Sequence, residues 1–242
     1  MAPPGVEIGN LGLRYAGASI FEDLNVTLRA GEFSVLLGPS GVGKTSLLRI
    51  IAGLEAPASG YVRATDGKPL SGRIAYMAQQ DLLLPWASVL NNVMLGAALR
   101  GGAKDTDKAM ALLERVGLHS RARTLPAQLS GGERQRVALA RTLYEDRPVV
   151  LMDEPFSALD AITRARIQNL AAELLAGRTV LLITHDPMEA CRLGHSLAVL
   201  WGSPARLGPP IIVPGAPPRA LDDDAVLHNQ GELLRRLAGL AA

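Results

Sequence analysis

Residues 38–45 carry the clearest chemistry in the chain. Gly38, Pro39, Ser40, Gly41, Val42, Gly43, Lys44 and Thr45 spell G-x-x-x-x-G-K-T, with Ser46 next in line. The glycines let backbone N–H groups curl inward around an anion. A helix opening directly after such a loop adds its positive end. Lys44 can place a cation on the β- and γ-phosphates of a nucleotide, and the Thr45 hydroxyl can ligate Mg²⁺. A second string, Val149-Val150-Leu151-Met152-Asp153-Glu154, is four apolar residues followed by two carboxylates. As the end of a buried strand it delivers both acids to the sheet edge, where ligands bind in open α/β folds. There Asp153 can hold Mg²⁺ through water, and Glu154 can polarise an attacking water as a general base.

Both strings need strands that stop at a ligand-binding edge, and the hydrophobic pattern supplies them. Residues 6–13, 25–28, 33–37, 61–64 and 73–77 read as strands, and 45–52 as a helix that stops at Gly53. From 88 to 147 the β signal disappears and apolar residues recur at helical spacing, as in Leu112, Leu113, Val116 and Val137, Ala140, Leu143, Tyr144. An inserted helical subdomain over about 86–147 is expected. Strands return at 149–152, 179–183 and 196–200, with helices at 161–176 and 188–193 between them, the rhythm of buried parallel strands joined by crossover helices. Residues 203–219 hold six prolines and read as turns with a short strand at 211–213. A last helix, 224–240, carries Leu233, Leu237 and Leu240 on one face and Asp222, Asp223 and Asp224 at its start. No internal repeat or linker divides the chain, so residues 1–242 are expected to form a single domain of α/β class, with 203–242 as C-terminal turns and helix.

Composition narrows the classes. The chain has 242 residues, 48% hydrophobic and 20% charged, enough for a substantial core and too apolar for wholesale disorder. A formal net charge of +2 is too balanced to indicate a nucleic-acid partner. One cysteine, Cys191, excludes an intramolecular disulfide framework and a multi-cysteine zinc site. No apolar run is long enough to span a bilayer, and residues 1–10 lack the pattern of a signal peptide. The chain is expected to be soluble and intracellular, so that any membrane role requires a partner.

One string decides the family. Leu129-Ser130-Gly131-Gly132-Glu133-Arg134-Gln135 resembles the LSGGQ-type signature of ABC-transporter ATPase subunits. Further motifs agree in order. Gln79 lies where that family has its Q-loop, two residues before Asp81 and followed by Leu-Leu-Leu-Pro-Trp. Ser157-Ala158-Leu159-Asp160 resembles the D-loop, and Thr184-His185-Asp186 the switch-histidine segment. Tyr15 matches the aromatic that stacks on adenine. The resemblance covers about residues 6–215. It implies a P-loop NTPase fold, an ABC ATPase cassette with a RecA-like core, an N-terminal antiparallel β-subdomain and an inserted helical subdomain.

The resemblance also implies roles. ATP and Mg²⁺ are the expected cofactors. Tyr15, residues 38–46 and Gln79 would bind nucleotide, and Thr45, Gln79 and Asp153 would serve the metal. Glu154, His185 and Lys44 would be catalytic, His185 meeting the γ-phosphate from the end of the 179–183 strand. Ser130, Gly131, Gly132 and Glu133, before a helix expected to begin near Glu133, would contact ATP held by a second ATPase subunit in a head-to-tail homodimer. Asp160 would couple the two sites. The implied partners are transmembrane permease subunits and, indirectly, a periplasmic substrate-binding protein, with no nucleic acid. The implied place is peripheral, on the cytoplasmic face of the bacterial inner membrane.

The segment 79–86, QQDLLLPW, resembles the bacterial importer ATPases of the nitrate/sulfonate/taurine group, whose relatives include thiamine-precursor importers. Leu82, Leu83, Leu84 and Trp86 either pack into the helical subdomain or receive a helix of a membrane subunit. The other function classes sharing these motifs are exporter or lipid-extracting ATPases and soluble ABC ATPases of translation or repair. The tandem cassettes and coiled-coil insertions usual in the soluble class do not occur here.

Overall fold

The computed structural model describes residues 2–15 and 17–239. In chain order the first elements are β1 (Val6–Tyr15), β2 (Ala18–Leu28), β3 (Phe33–Leu37), α1 (Lys44–Ile51), β4 (Ser59–Ala64) and β5 (Ile74–Met77). Next come α2 (Val89–Val93), α3 (Leu95–Leu99), α4 (Thr106–Arg115) and α5 (Gly131–Tyr144). The last are β6 (Val149–Asp153), α6 (Ala161–Leu174), β7 (Thr179–Ile183), α7 (Pro187–Leu193), β8 (Ser196–Trp201), β9 (Arg206–Leu207), β10 (Ile211–Ile212) and α8 (Asp224–Gly239). Contacts divide the chain into two units. One comprises the described residues of Met1–Ile74, Pro148–Asp153 and Ala176–Ala242, the other Ala75–Arg147 and Glu154–Leu175.

The first unit holds two sheets. In one, β1 lies between β2 and β4 with both pairings antiparallel. In the other the order is β10-β8-β3-β7-β6, with β3 parallel to both β7 and β8, and β6 parallel to β7. Every residue of β6 and β7 is buried, which explains why they read as unbroken apolar runs and not as alternating ones. The parallel register pairs Leu36 with Ile183 and Ile183 with Asp153, so β3, β7 and β6 end together at one edge.

The structure extends β2 back to Ala18, where the sequence pattern marked only 25–28. Register shifts break the β1–β2 ladder between Ile8 and Leu11, Leu11 and Leu13, and Leu13 and Arg14. Asn10 and Asp23 take left-handed backbone angles. Each irregularity moves the inward-facing positions, so Phe21, Leu24 and Leu28 are buried at spacings of three and four. A period of two appears only over Leu24–Leu28, after the strand's own last bulge, which is why the sequence pattern marked only that end of the strand.

At the C-terminal end, α8 packs on α7, burying Val226, Asn229 and Leu233. Leu237 is half-buried, and Leu240 lies outside the described residues. Arg219, in the segment leading into α8, ties that segment to the end of α7. It is 4% exposed, and its guanidinium donates to the carbonyls of Pro214, Cys191, Gly194, Val213 and Gly215 at 2.6–3.0 Å. Its backbone N–H donates to Arg192 O, and Arg192 Nε donates back to Arg219 O. A cation at the C-terminal carbonyls of α7 also complements the helix dipole. Arg219→Met leaves those carbonyls without their donor, at about 1–3 kcal/mol for each one that water cannot reach. We expect the thermal midpoint to fall by on the order of 10 °C. Hydrogen exchange should show α8 and residues 213–219 losing protection while β6 and β7 keep theirs. Unchanged protection of α8 would contradict the clasp.

The second unit is built from helices. α2, α4 and α5 pack around Val93, Ala109, Leu113, Val137 and Ala140, all fully buried. Asp105 caps α4 through Lys108 N–H, and its own N–H donates to the Tyr144 hydroxyl at 2.9 Å, tying α4 to the end of α5.

Candidate functional site

In the first unit the loop after β3 turns directly into α1. Gly43 precedes the helix at φ 108°, where an added Cβ would lie 2.8 Å from Ile20 and Phe21 side-chain atoms. Only glycine satisfies both the angle and the space. At Gly41 the corresponding position meets nothing within 4 Å, so glycine is favoured there by its backbone angle, φ 80°, and not by lack of space. Lys44 Nζ folds back over the loop, donating to Gly38 O and Pro39 O at 2.8 Å each. Those bonds hold the ammonium against the curled backbone.

The Thr45 hydroxyl donates to Asp153 Oδ2 at 2.6 Å, and Asp153 is 2% exposed. Thus two of the three residues expected to serve a metal, 108 positions apart in sequence, touch at the end of β6, while Gln79 belongs to the second unit. Their hard oxygen donors fit Mg²⁺, which takes one or two protein oxygens and fills its octahedron with water and substrate phosphates. Among the described residues no group of three or more His, Cys, Asp and Glu could bind a metal alone. A metal at Thr45 and Asp153 would take its remaining ligands from water and substrate phosphate oxygens.

His185 stands just past β7 at the same edge and is exposed. The turn that carries it is fixed on both sides. Asp186 N–H donates to Thr184 Oγ1 at 3.0 Å, and the Asp186 carboxylate accepts from Met188 and Glu189 N–H to cap α7. Tyr15 ends β1, and its hydroxyl donates to the Glu55 carboxylate while also meeting Ser46. The Glu55 bond is the main cause raising its phenol pKa.

In the second unit, Glu154 takes a left-handed backbone conformation at φ 47°, uncommon for a side chain with Cβ. Its carbonyl is held by Gln135 Nε2 at 3.2 Å, Ser157 Oγ at 3.1 Å and Ser157 N–H at 3.4 Å. Its carboxylate accepts from Gln79 Nε2 at 3.4 Å. The buried Gln135 is a positioning residue that motif reading passed over, although it ends the signature string. Its signal was a polar side chain at a buried helical position.

α5 begins at Gly131, two residues earlier than the sequence reading placed it. Ser130 is its N-cap: Glu133 N–H donates to Ser130 Oγ at 3.2 Å, and Ser130 N–H donates to Glu133 Oε2 at 2.8 Å. That reciprocal box lowers the Glu133 carboxyl pKa, chiefly through the Ser130 N–H bond. The N–H groups of Gly131 and Gly132 then fall in the first turn, where a helix offers them no internal acceptor. A Cβ on Gly132 would sit 3.2 Å from Ala158 O and 3.4 Å from Leu159. Asp160 caps α6 by accepting Thr163 N–H at 3.0 Å, the bond that most lowers its pKa.

The segment after Gln79 is strapped to α5. Arg134 Nε meets Asp81 Oδ2 at 3.0 Å, and Arg141 donates to the carbonyls of Asp81 and Leu82. Leu83 and Leu84 are half-buried, whereas Leu82 is exposed and Trp86 is 76% exposed. Asn92 fixes the turn between them, donating to Leu84, Ala87 and Ser88 carbonyls. Part of the apolar run thus packs inward and part faces out.

Comparison with known proteins follows the same outline. The ABC transporter family model matches residues 21–157. An uncharacterized ABC transporter ATP-binding protein of Haemophilus influenzae is 45% identical over 97% of this chain and 99% of its own. An aliphatic sulfonates import ATP-binding protein, SsuB 1, of Rhodococcus jostii is 44% identical over 95% and 92%. Among solved structures, the dimeric bacterial ABC transporter cassette MJ0796 superposes with TM-score 0.78 at 30% identity, covering 87% of this chain and 99% of that one. A second dimeric structure of that cassette, in a post-hydrolysis state bound to ADP and Pi, gives 0.77 at the same identity and coverage. Among the described residues no helix is long and apolar enough to cross a membrane. The chain belongs to the ABC transporter family as one of its ATP-binding, ATP-hydrolysing subunits.

Proposed function

We propose that this subunit binds MgATP between two copies of itself and hydrolyses it to drive import of a small organic sulfonate through partner permease subunits. The observation that best supports the ATP chemistry is the 2.6 Å contact of Thr45 with the buried Asp153 beside the Lys44 loop. Import and the sulfonate class rest on relatives named for that role, matched over more than nine-tenths of their length. The subunit would act at the cytoplasmic face of the membrane, held there by permeases fed by a substrate-binding protein.

Each residue has a share in this reading. Residues 38–46 cradle the phosphates, and Lys44 neutralises the β- and γ-oxygens. Mg²⁺, when bound by Thr45 and Asp153, would draw charge from the phosphoryl oxygens, and Gln79 is assigned to serve the same metal. Glu154 accepts a proton from the attacking water, and His185 donates a hydrogen bond to the γ-phosphate. Ser130, Gly131 and Gly132 of the second copy add an anion cradle at a helix start, and Asp160 couples the two sites. ATP binding favours the closed pair, and loss of the γ-phosphate releases it. In proteoliposomes holding this subunit and its permeases, MgATP on the subunit's side should support uptake of an alkanesulfonate delivered by the binding protein. ATP turnover without uptake of any sulfonate would remove the substrate assignment.

Tyr15 is assigned to the adenine. Base–aromatic stacking contributes about 1–3 kcal/mol, so Tyr15→Ala should raise the KM for ATP by about 5- to 150-fold. Steady-state kinetics should show kcat nearly unchanged. A fall in kcat at constant KM would contradict the assignment.

A further inference from the structure

The face of α8 turned away from α7 remains unaccounted for. Val226, Asn229 and Leu233 are buried, and on the opposite side Asp224, Leu227, His228, Gly231, Leu234, Arg235 and Ala238 are all exposed. Leu227 is 50% and Leu234 49% exposed. At 100° per residue the apolar and small members, Leu227, Gly231, Leu234 and Ala238, form one straight stripe. Asp224 and Arg235 lie on the same flank of that stripe, at opposite ends of the helix. Neither is in an ion pair among the described residues. A Cβ added at Gly231 meets nothing within 4 Å.

These features are self-complementary. We propose that α8 pairs antiparallel with α8 of a second copy of this chain, crossing at Gly231. With Gly231 on the two-fold axis, residue i faces residue 462 minus i, so Leu227 faces Arg235, His228 faces Leu234, and Asp224 faces Ala238. Antiparallel pairing brings like flanks together, and Asp224 comes within one turn of the partner's Arg235, twice over. Glycine at the crossing lets the two backbones approach closely, as small residues do where helices cross. The buried Val226, Asn229 and Leu233, with the Arg219 clasp, fix which face of α8 points outward. A 16-residue helix is about 24 Å long. Two such faces bury less than the roughly 1,200 Å² of a stable interface. The pairing is therefore weak alone and acts by raising the effective concentration of two cassettes that separate after hydrolysis.

The test uses the intact chain without nucleotide, so its outcome does not depend on the ATP-site reading. Burial pushes the Cys191 thiol up to about 11, leaving it protonated and inert, so an introduced cysteine is the sole reactive thiol. Gly231→Cys should form a disulfide-linked homodimer under mild oxidation at least tenfold faster than the exposed control Arg123→Cys. Asp224→Arg and Arg235→Asp, each made in the Gly231→Cys background, should slow the crosslink severalfold. The two together should restore it, a readout that misfolding of one variant cannot imitate. Equal rates for Gly231→Cys and the control, or no recovery in the double swap, overturn the proposal. So does crosslinking to a permease rather than to a second copy when the assembled transporter is oxidised in membranes.

Discussion

Replacing Glu154 with glutamine is expected to lower ATP hydrolysis by about 10²- to 10⁴-fold, the usual share of a positioned general base. The substitution keeps size and shape while removing the proton acceptor. The backbone at φ 47° is held through the Glu154 carbonyl by Gln135 and Ser157, none of which the change touches. Folding and ATP affinity should therefore survive, and the loss should appear in kcat. Phosphate release read beside equilibrium binding of a fluorescent ATP analogue separates the two. Hydrolysis at the wild-type rate would remove Glu154 from the role of base. Gln135→Leu provides a related check, because it leaves the carboxylate in place and frees the carbonyl. It should lower kcat while leaving ATP affinity unchanged.

Lys44→Ala acts one step earlier. The ammonium is pinned by Gly38 O and Pro39 O and is the loop's one fixed positive side chain. Charge-assisted bonds of this kind contribute about 1.5–3 kcal/mol each. Losing one or two of them to the phosphates should weaken ATP binding by about tenfold or more. Titration calorimetry with ATP should show this, with adenosine affinity little changed because the sugar and base lie beyond the lysine. Equal loss for ATP and adenosine would mean that the loop had collapsed and not merely lost a charge.

The site's chemistry was legible wherever it demands residue types at fixed spacing. The phosphate loop and the acidic end of β6 are continuous strings, and strands buried on both faces advertise themselves as unbroken apolar runs. What stayed hidden depends on partners distant in sequence or on backbone shape. Arg134 and Arg141 hold Asp81 and Leu82 from 53 to 60 positions away, and no periodicity marks such a bond. The bulged β1–β2 hairpin obscured its own strand. Arg219, amid six prolines, looked like a turn residue and proved to be the clasp of the C-terminal segment. The start of α5 could have been read, since Ser130 followed three residues later by Glu133 is a capping box.

The paired state itself admits a direct measurement. Light scattering of the Glu154→Gln chain at low micromolar concentration should report the mass of one copy without nucleotide and of two with saturating MgATP. Adding Lys44→Ala or a bulky residue at Gly132 should return it to one copy. A mass that stays at one copy under saturating MgATP, with permeases supplied as well, would contradict the composite ATP site on which the proposed mechanism rests.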